Sequence, residues 1–381
     1  MTMISDLPND MEAEILSRVP AKSLSRLKTT CKRWYALFRD PKFVAKNKKL
    51  GRGVRESILL TNHGDVFSVA GDLHNTGVNT PIEVSGKLTS LKGSEDLDFK
   101  DIFHCDGLML CSALGNDRLV VWNPCTGQTR NIKARTSFET NQTYALGYSR
   151  SSSSGHSYKI LRCFDYQEDQ KDWVPRCEIY ELRSDDSWRV LDSFPLDYIM
   201  FRDGVSLKGN TYWVAKDEES GYFMMKFDFT TERFVRLPLP FQIFYRYDQT
   251  VLSVVRDEKL SVIQIYDKSD VRSYVRSYEM RIWVSTKVDE DANKDLSWRS
   301  DLVLEVDDDT FFGMYFRSFL LDEENKVAVL CCDIDLVGDN YTTIVYIIGE
   351  DMLEQVYSGT IKESRSNSPL VSTYVPSLVC I

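Results

Sequence analysis

The stretch Ser5-Asp6-Leu7-Pro8-Asn9-Asp10-Met11-Glu12-Ala13-Glu14-Ile15-Leu16-Ser17-Arg18-Val19-Pro20 decides how the rest of this 381-residue chain is read. Leu7, Met11, Ile15 and Val19 recur at every fourth position, and Leu16 widens the stripe, which is the spacing of one helix face. Pro8 suits a first helical turn and Pro20 ends the run. Further on, Leu24, Leu27, Cys31, Trp34, Tyr35 and Phe38 continue an apolar face as far as Asp40-Pro41, which closes the segment. Thr29 and Thr30 stand where a new turn would be capped, so the second half reads as two short helices meeting at an angle. Three short helices in about 45 residues bury too little surface to fold alone. Either the rest of the chain covers the stripe, the commoner case for an apolar helix, or a foreign protein does.

The residues favour the foreign protein. Leu7-Pro8, Glu14-Ile15-Leu16, Arg18-Val19-Pro20, Ser23-Leu24, Leu27, Cys31-Lys32-x-Trp34 and Asp40-Pro41-x-Phe43 closely resemble the F-box. That resemblance implies docking on a Skp-type adaptor, and through it on a cullin. It assigns Leu7, Pro8, Ile15, Leu16, Val19, Pro20, Leu24, Leu27, Cys31 and Trp34 to contacting the adaptor or shaping the helices that do. Thr30 departs from the family, where Val is common at that place.

Composition sets the bounds. An apolar content of 43% is that of a soluble globular protein with a sizeable core. No apolar run is long enough to cross a bilayer, and the acidic start at residues 5–10 does not suit a signal peptide. These point to nucleus or cytoplasm and no membrane. The nine cysteines, Cys31, Cys105, Cys111, Cys125, Cys163, Cys177, Cys331, Cys332 and Cys380, show no Cys-x-x-Cys pair and read as small buried hydrophobes in a reducing compartment. Residues 1–55 hold 13 Lys and Arg against 5 Asp and Glu, whereas residues 56–381 hold 34 against 52. The basic start lacks the base-reading or stacking partners of a nucleic-acid site, and none is expected. Lys46-Asn47-Lys48-Lys49 reads as a solvated helix end or a weak nuclear address.

After the hinge-like Gly51-Arg52-Gly53 the period changes from 3.6 to 2. The clearer strands fall at 58–60, 108–111, 119–122, 158–163, 178–182, 205–207, 211–214, 224–229, 251–255, 261–265, 281–284, 326–330 and 343–348, parted by turn residues. Tight hairpins centre near Gly209, Glu258 and Glu324. A strand followed by a polar turn recurs near residues 123, 180, 228 and 283, at gaps of 57, 48 and 55 residues. A period near 50 with two hairpins per unit is that of a four-stranded propeller blade, and about 325 residues then make about six.

Several motifs in this region resemble the plant F-box-associated interaction domain of the kelch-like first type. They include Cys105-Asp106-Gly107-Leu108, Val121-Trp122-Asn123-Pro124-x-Thr126-Gly127, Tyr144 to Tyr148, Ser187-Trp188-Arg189, Phe227-Asp228-Phe229-Thr230, Leu237-Pro238-Leu239-Pro240-Phe241 and Tyr374-Val375-Pro376-Ser377-Leu378. The expected organisation is an α+β multidomain chain. An all-α F-box occupies residues 1–48, hinge and first strands 49–100, and an all-β, propeller-like domain of about six blades 101–381. The resemblance implies a substrate-receptor subunit of an SCF-type ubiquitin ligase that presents an unknown target protein and carries no catalysis itself. The alternative is an adaptor-bound scaffold or regulator that acts without ubiquitin transfer.

No residue stands out as catalytic or metal-ligating, and no cofactor is expected. Phe103-His104-Cys105-Asp106 places imidazole, thiol and carboxylate side by side, but strand neighbours point to opposite faces, which argues against a shared site. The four histidines, His63, His74, His104 and His156, lack paired ligand spacing. Asn123-Pro124-Cys125-Thr126-Gly127 reads first as a turn. Trp122, Trp188, Trp213 and Trp283 read as fillers between sheets, and Asp307 to Asp309 and Asp322 to Glu324 as solvated loops. The substrate-binding residues cannot be named from sequence, because specificity lives in loops.

Overall fold

The structure, a computed structural model, describes residues 7–51, 56–60, 66–70, 83–87, 99–113, 118–133, 140–151, 155–167, 173–183, 187–191, 198–200, 204–217, 219, 221–242, 249–268, 277–288, 296–306, 309–336, 340–350, 352–362 and 370–381. The hinge residues Arg52 and Gly53, together with His63, His74, Asp307 and Asp308, lie outside this set.

Four helices open the chain: α1 (Asn9–Leu16), α2 (Ala21–Leu27), α3 (Lys32–Leu37) and α4 (Pro41–Leu50). Pro8 and Pro20 occupy the caps of α1 and α2, as their fixed φ allows. The break between α2 and α3 falls where expected, but its cap is Cys31 rather than a threonine: the Cys31 Sγ accepts from the Trp34 amide at 3.3 Å. Asp40-Pro41 also differs from expectation, opening a fourth helix instead of closing the segment. The Asp40 carboxylate accepts from the amides of Lys42 at 2.7 Å and Phe43 at 3.1 Å, an acidic N-cap with proline in the first turn behind it.

The described strands form six antiparallel sheets, five of four strands and one of five, which is the propeller-like arrangement expected from the spacing. The first contains β1 (Glu56–Leu60), β2 (Val66–Ala70) and β3 (Glu83–Lys87), together with the last strand of the chain, β25 (Leu370–Tyr374). The second contains β4 (Phe99–Cys105), β5 (Leu108–Ala113), β6 (Arg118–Asn123) and β7 (Gln128–Lys133). The third contains β8 (Thr140–Ser151), β9 (Gly155–Gln167), β10 (Trp173–Glu181) and β11 (Trp188–Val190). The fourth contains β12 (Tyr198–Met200), β13 (Val205–Leu207), β14 (Asn210–Asp217), β15 (Gly221–Asp228) and β16 (Arg233–Leu237). The fifth contains β17 (Gln249–Val255), β18 (Lys259–Asp267), β19 (Tyr278–Ser285) and β20 (Trp298–Val306). The sixth contains β21 (Met314–Asp322), β22 (Val327–Leu336), β23 (Asn340–Gly349) and β24 (Met352–Lys362).

Pairing of β1 with β25, from Glu56 opposite Tyr374 to Leu60 opposite Leu370, joins the two ends of the domain and closes the ring. The residues that follow β25 lie against the second sheet and the F-box helices. Strands β25, β4, β8, β13, β17 and β21 are neighbours around the axis. Polar side chains tie several of them together. Ser253 donates to the Phe319 carbonyl at 2.5 Å, Ser318 accepts from the Val371 amide at 2.7 Å, and the Gln249 side chain bridges the Met314 carbonyl and the Phe316 amide.

The spacing of strand-then-turn motifs has a structural cause. Positions 123, 180, 228 and 283 all lie in the third strand of their sheets, β6, β10, β15 and β19. Trp122 and Trp213 are fully buried between sheets, whereas Trp188 and Trp283 are half-buried. Two sequence expectations fail here. Cys163 and Cys177 form a disulfide, because the register of β9 on β10 sets them directly opposite with Cα atoms 4.3 Å apart, a pairing no linear spacing shows. The segment Asp322 to Glu324 is not merely solvated. Asp322 is buried and accepts from the Glu324 amide, while Glu323 binds Lys259 at 2.8 Å and Arg299 at 2.6 Å, stapling the fifth sheet to the sixth.

Candidate functional site

The amphipathic helices split their apolar residues between two jobs. Leu16 and Leu24, 3% and 0% exposed, form a core with Ala21, Phe38 and Phe43, while Val19, Leu27 and Trp34 pack half-buried against it. Leu7 and Pro20 are also half-buried; Pro8, Ile15 and Cys31 are exposed. Of the ten residues singled out for the adaptor, Leu16 and Leu24 therefore hold the helices together. Met11, Ile15 and Tyr35, at 52%, 42% and 48% exposure, remain outside, Tyr35 beneath the Arg39 guanidinium; Met11 and Tyr35 are not in the adaptor set. Both lie in the sequence stripe, whose spacing identifies a face without saying how wide an outward strip is left over.

Polar contacts fix this arrangement. Glu12 is almost fully buried and accepts from the Trp34 indole at 2.6 Å while pairing with Arg33, which ties α1 to α3. Asn47, also buried, donates to the carbonyls of Ser17 at 3.0 Å and Val19 at 2.7 Å, tying α4 to the end of α1. The lysines of the Lys46 to Lys49 run are exposed, as a solvated helix end, but Lys46 pairs with Glu14 and Lys48 with Asp106. Hydrogen bonds from Lys46 and then Arg18 hold the Glu14 carboxyl below its ordinary range.

Below the helices lies a cavity of about 720 Å³. Residues of β4, β8, β13, β17, β21 and β25 line it, and Val44, Asn47 and Lys48 of α4 border one side. His104, Cys105 and Asp106 all border it, but His104 packs edge-on against Tyr374 while Cys105 packs with Leu108, Leu110 and Tyr148, the separation that strand alternation predicts. Asp106 stands just past the end of β4 in a tight turn, at φ 55° with Gly107 at φ 79°.

Each of the three is occupied. Burial, with Asp106 beside it, pushes the Cys105 thiol up to about 12, the opposite of an activated nucleophile. The His104 Nε2 accepts from the Gly107 amide at 3.2 Å, and burial lowers its basicity. Burial alone would raise the Asp106 carboxyl. The Lys48 ammonium and the hydrogen bonds from His156, Lys48 and Tyr158 outweigh it and hold that group well below the usual carboxylate range. The Tyr158 hydroxyl donates to it at 2.6 Å and His156 Nδ1 lies at 3.2 Å, the imidazole stacking on Tyr148 at 3.8 Å. Among the described residues no cluster of three His, Cys, Asp or Glu is arranged to hold a metal ion.

The Asn123 to Gly127 turn is a turn, and it is also a socket. The fully buried Asn123 accepts from the amides of Cys125 and Thr126 and donates to the carbonyls of Ser377 and Val379. Helix α2 docks on it: Ser25 donates to the Cys125 carbonyl at 2.5 Å and Lys28 to the Thr126 carbonyl at 2.6 Å.

Residues 4–46 match the F-box domain family and residues 56–381 the F-box associated beta propeller domain family. The chain belongs to the F-box proteins. It is 52% identical over 386 residues to a putative F-box/kelch-repeat protein of Arabidopsis thaliana, covering all of this chain and 93% of that protein. A second F-box/kelch-repeat protein of the same plant is 50% identical over 390 residues, with 100% and 96% coverage, and a third, putative one is 47% identical over 395 residues, with 100% and 98%. The four helices are thus an F-box joined to a plant F-box-associated propeller.

Proposed function

We propose that this F-box protein is the substrate receptor of an SCF-type ubiquitin ligase: the helices dock on a Skp-type adaptor, which links to a cullin, and the propeller holds a target protein. One observation carries this reading. Helices whose internal core is already filled by Leu16, Leu24, Phe38 and Phe43 still present Pro8, Met11, Ile15, Cys31 and Tyr35 to the outside. Large apolar side chains left exposed after the core is complete are what a partner surface requires.

The mechanism is positional. Binding target and charged conjugating enzyme in one assembly raises the effective concentration of a target lysine near the thioester, and asks no chemistry of this chain. The occupied state of His104, Cys105 and Asp106 supports a non-catalytic subunit. Basic residues on the helices would speed encounter with an acidic adaptor, giving an on-rate that falls with salt. The same reading places the protein in nucleus or cytoplasm, without nucleic-acid or membrane partners.

The test is adaptor capture by full-length protein carrying Met11→Asp and Ile15→Asp together, which leaves Leu16 and Leu24 untouched. Binding should fall by well over about tenfold if these are interface anchors. Unchanged binding would refute the docking assignment. Co-purification of the cullin separates the ligase reading from that of a scaffold acting without ubiquitin transfer.

A further inference from the structure

Among the described residues, three of the contacts between the F-box and the propeller converge on the second sheet and the chain's last residues. The first is the docking of Ser25 and Lys28 on the 123–127 turn. The second is Lys48 of α4, which pairs with the buried Asp106 carboxylate at the β4–β5 turn. The third is Leu378, 4% exposed, which sits inside the F-box core beside Leu16, Leu24, Phe38 and Phe43. Its segment is held from below. Asn123 donates to Ser377 and Val379 on either side of it at 3.0 and 2.7 Å, and Gln128 accepts from the Ile381 amide at 3.4 Å. A Cβ on Gly107 would lie 2.4 Å from that of Ser377, so the turn bearing Asp106 and the tail are pressed together.

We infer that Leu378 and Asp106 are positioning residues that fix the orientation of the F-box on the propeller. Contacts at three separate points of the chain restrict the rotations a flexible joint would allow, and here one of them is a side chain from the far end of the sequence completing the F-box core. Ring closure by β25 delivers the tail to that place, so the pose of the adaptor-binding face is read off the closed propeller. This builds on the adaptor reading above, in which the distance between adaptor and target governs transfer.

The experiment uses the full chain with nitroxide labels carried on non-natural residues at Arg26 of α2 and Val303 of β20, both exposed. The wild type should give one narrow distance population by pulsed electron resonance. Leu378→Ala and Asp106→Asn should each broaden it, Leu378→Met should restore it, and adaptor affinity should stay within about threefold of wild type because the outer strip is intact. Asp106→Asn keeps the test open if Leu378→Ala does not fold. Wild-type-like narrow populations in both variants would overturn the inference, as would a broad one in the wild type, or a Leu378→Ala variant that melts earlier with its distance unchanged. A wild type that binds no adaptor, with the two variants still broadening the distance, would sink the functional reading and leave this one standing.

Discussion

The F-box and the propeller bury their apolar residues by opposite strategies. Each propeller sheet packs on its neighbours, and the fifth and sixth share one large cluster running from Val251 to Ile348. The F-box core has six fully buried members, one of which, Leu378, comes from the other end of the chain, with Cys125 packed at its edge. A small helical unit thus spends part of its apolar surface on its own core, part on the propeller, and leaves part uncovered. The propeller gains its closed packing from the ring, whereas the helices keep apolar side chains exposed even after borrowing Leu378.

The sharpest way to break this comparison is to cut residues 370–381. Loss of β25 opens the ring and removes Leu378 together, so cooperative melting of both regions should disappear, checked by circular dichroism. A surviving sharp transition would mean that the first sheet does not need its closing strand. The next largest effect is Leu24→Ala in the F-box core, expected to lower stability by about 2–5 kcal/mol through an unfilled cavity; denaturant melts measure it. Ile15→Ala, by contrast, should leave the melting point almost unchanged while weakening adaptor capture, since its side chain is 42% exposed.

A smaller, pH-dependent effect should mark the junction. The Asp106 carboxyl is depressed in the folded protein, so its contribution is present above the unfolded value of about 4 and fades as pH falls through the lower folded value. Asp106→Asn should flatten that part of the acid limb of the stability profile; an unaltered limb would mean that the Lys48 pair does not couple to folding. Smallest of all, Glu324→Ala removes an exposed pair with Arg256 and should change stability by less than about 1 kcal/mol.

Much of this was legible in the residues. The helical stripe, its break near residue 30 and the strand-turn period near 50 are local patterns, and each strand read from alternation lies in or within one residue of an observed one. β24 is not among the strands read from alternation, because its sequence interrupts the apolar positions with Ser358, Gly359 and Thr360. The exposed side of the helices was half legible: periodicity marks which residues share a stripe, whereas Leu16 turning inward and Ile15 outward depends on what α3 and α4 place beside them. Asp106 illustrates the remaining gap. As one member of His104-Cys105-Asp106 it drew attention for chemistry, and its partners Lys48, His156 and Tyr158 lie 58, 50 and 52 residues away.

What the sequence by itself determined is the identity of the two parts and their order: helix-period residues that cannot complete a core alone, followed by period-two segments with turns at blade spacing. Those properties depend on near neighbours, which the chain holds at fixed separations. Only the tertiary structure decided which apolar residues remain outside, that Cys163 meets Cys177, and that Leu378 closes the F-box core. Each of these depends on strand register and ring closure, which bring together groups whose distance along the chain says nothing about their distance in space.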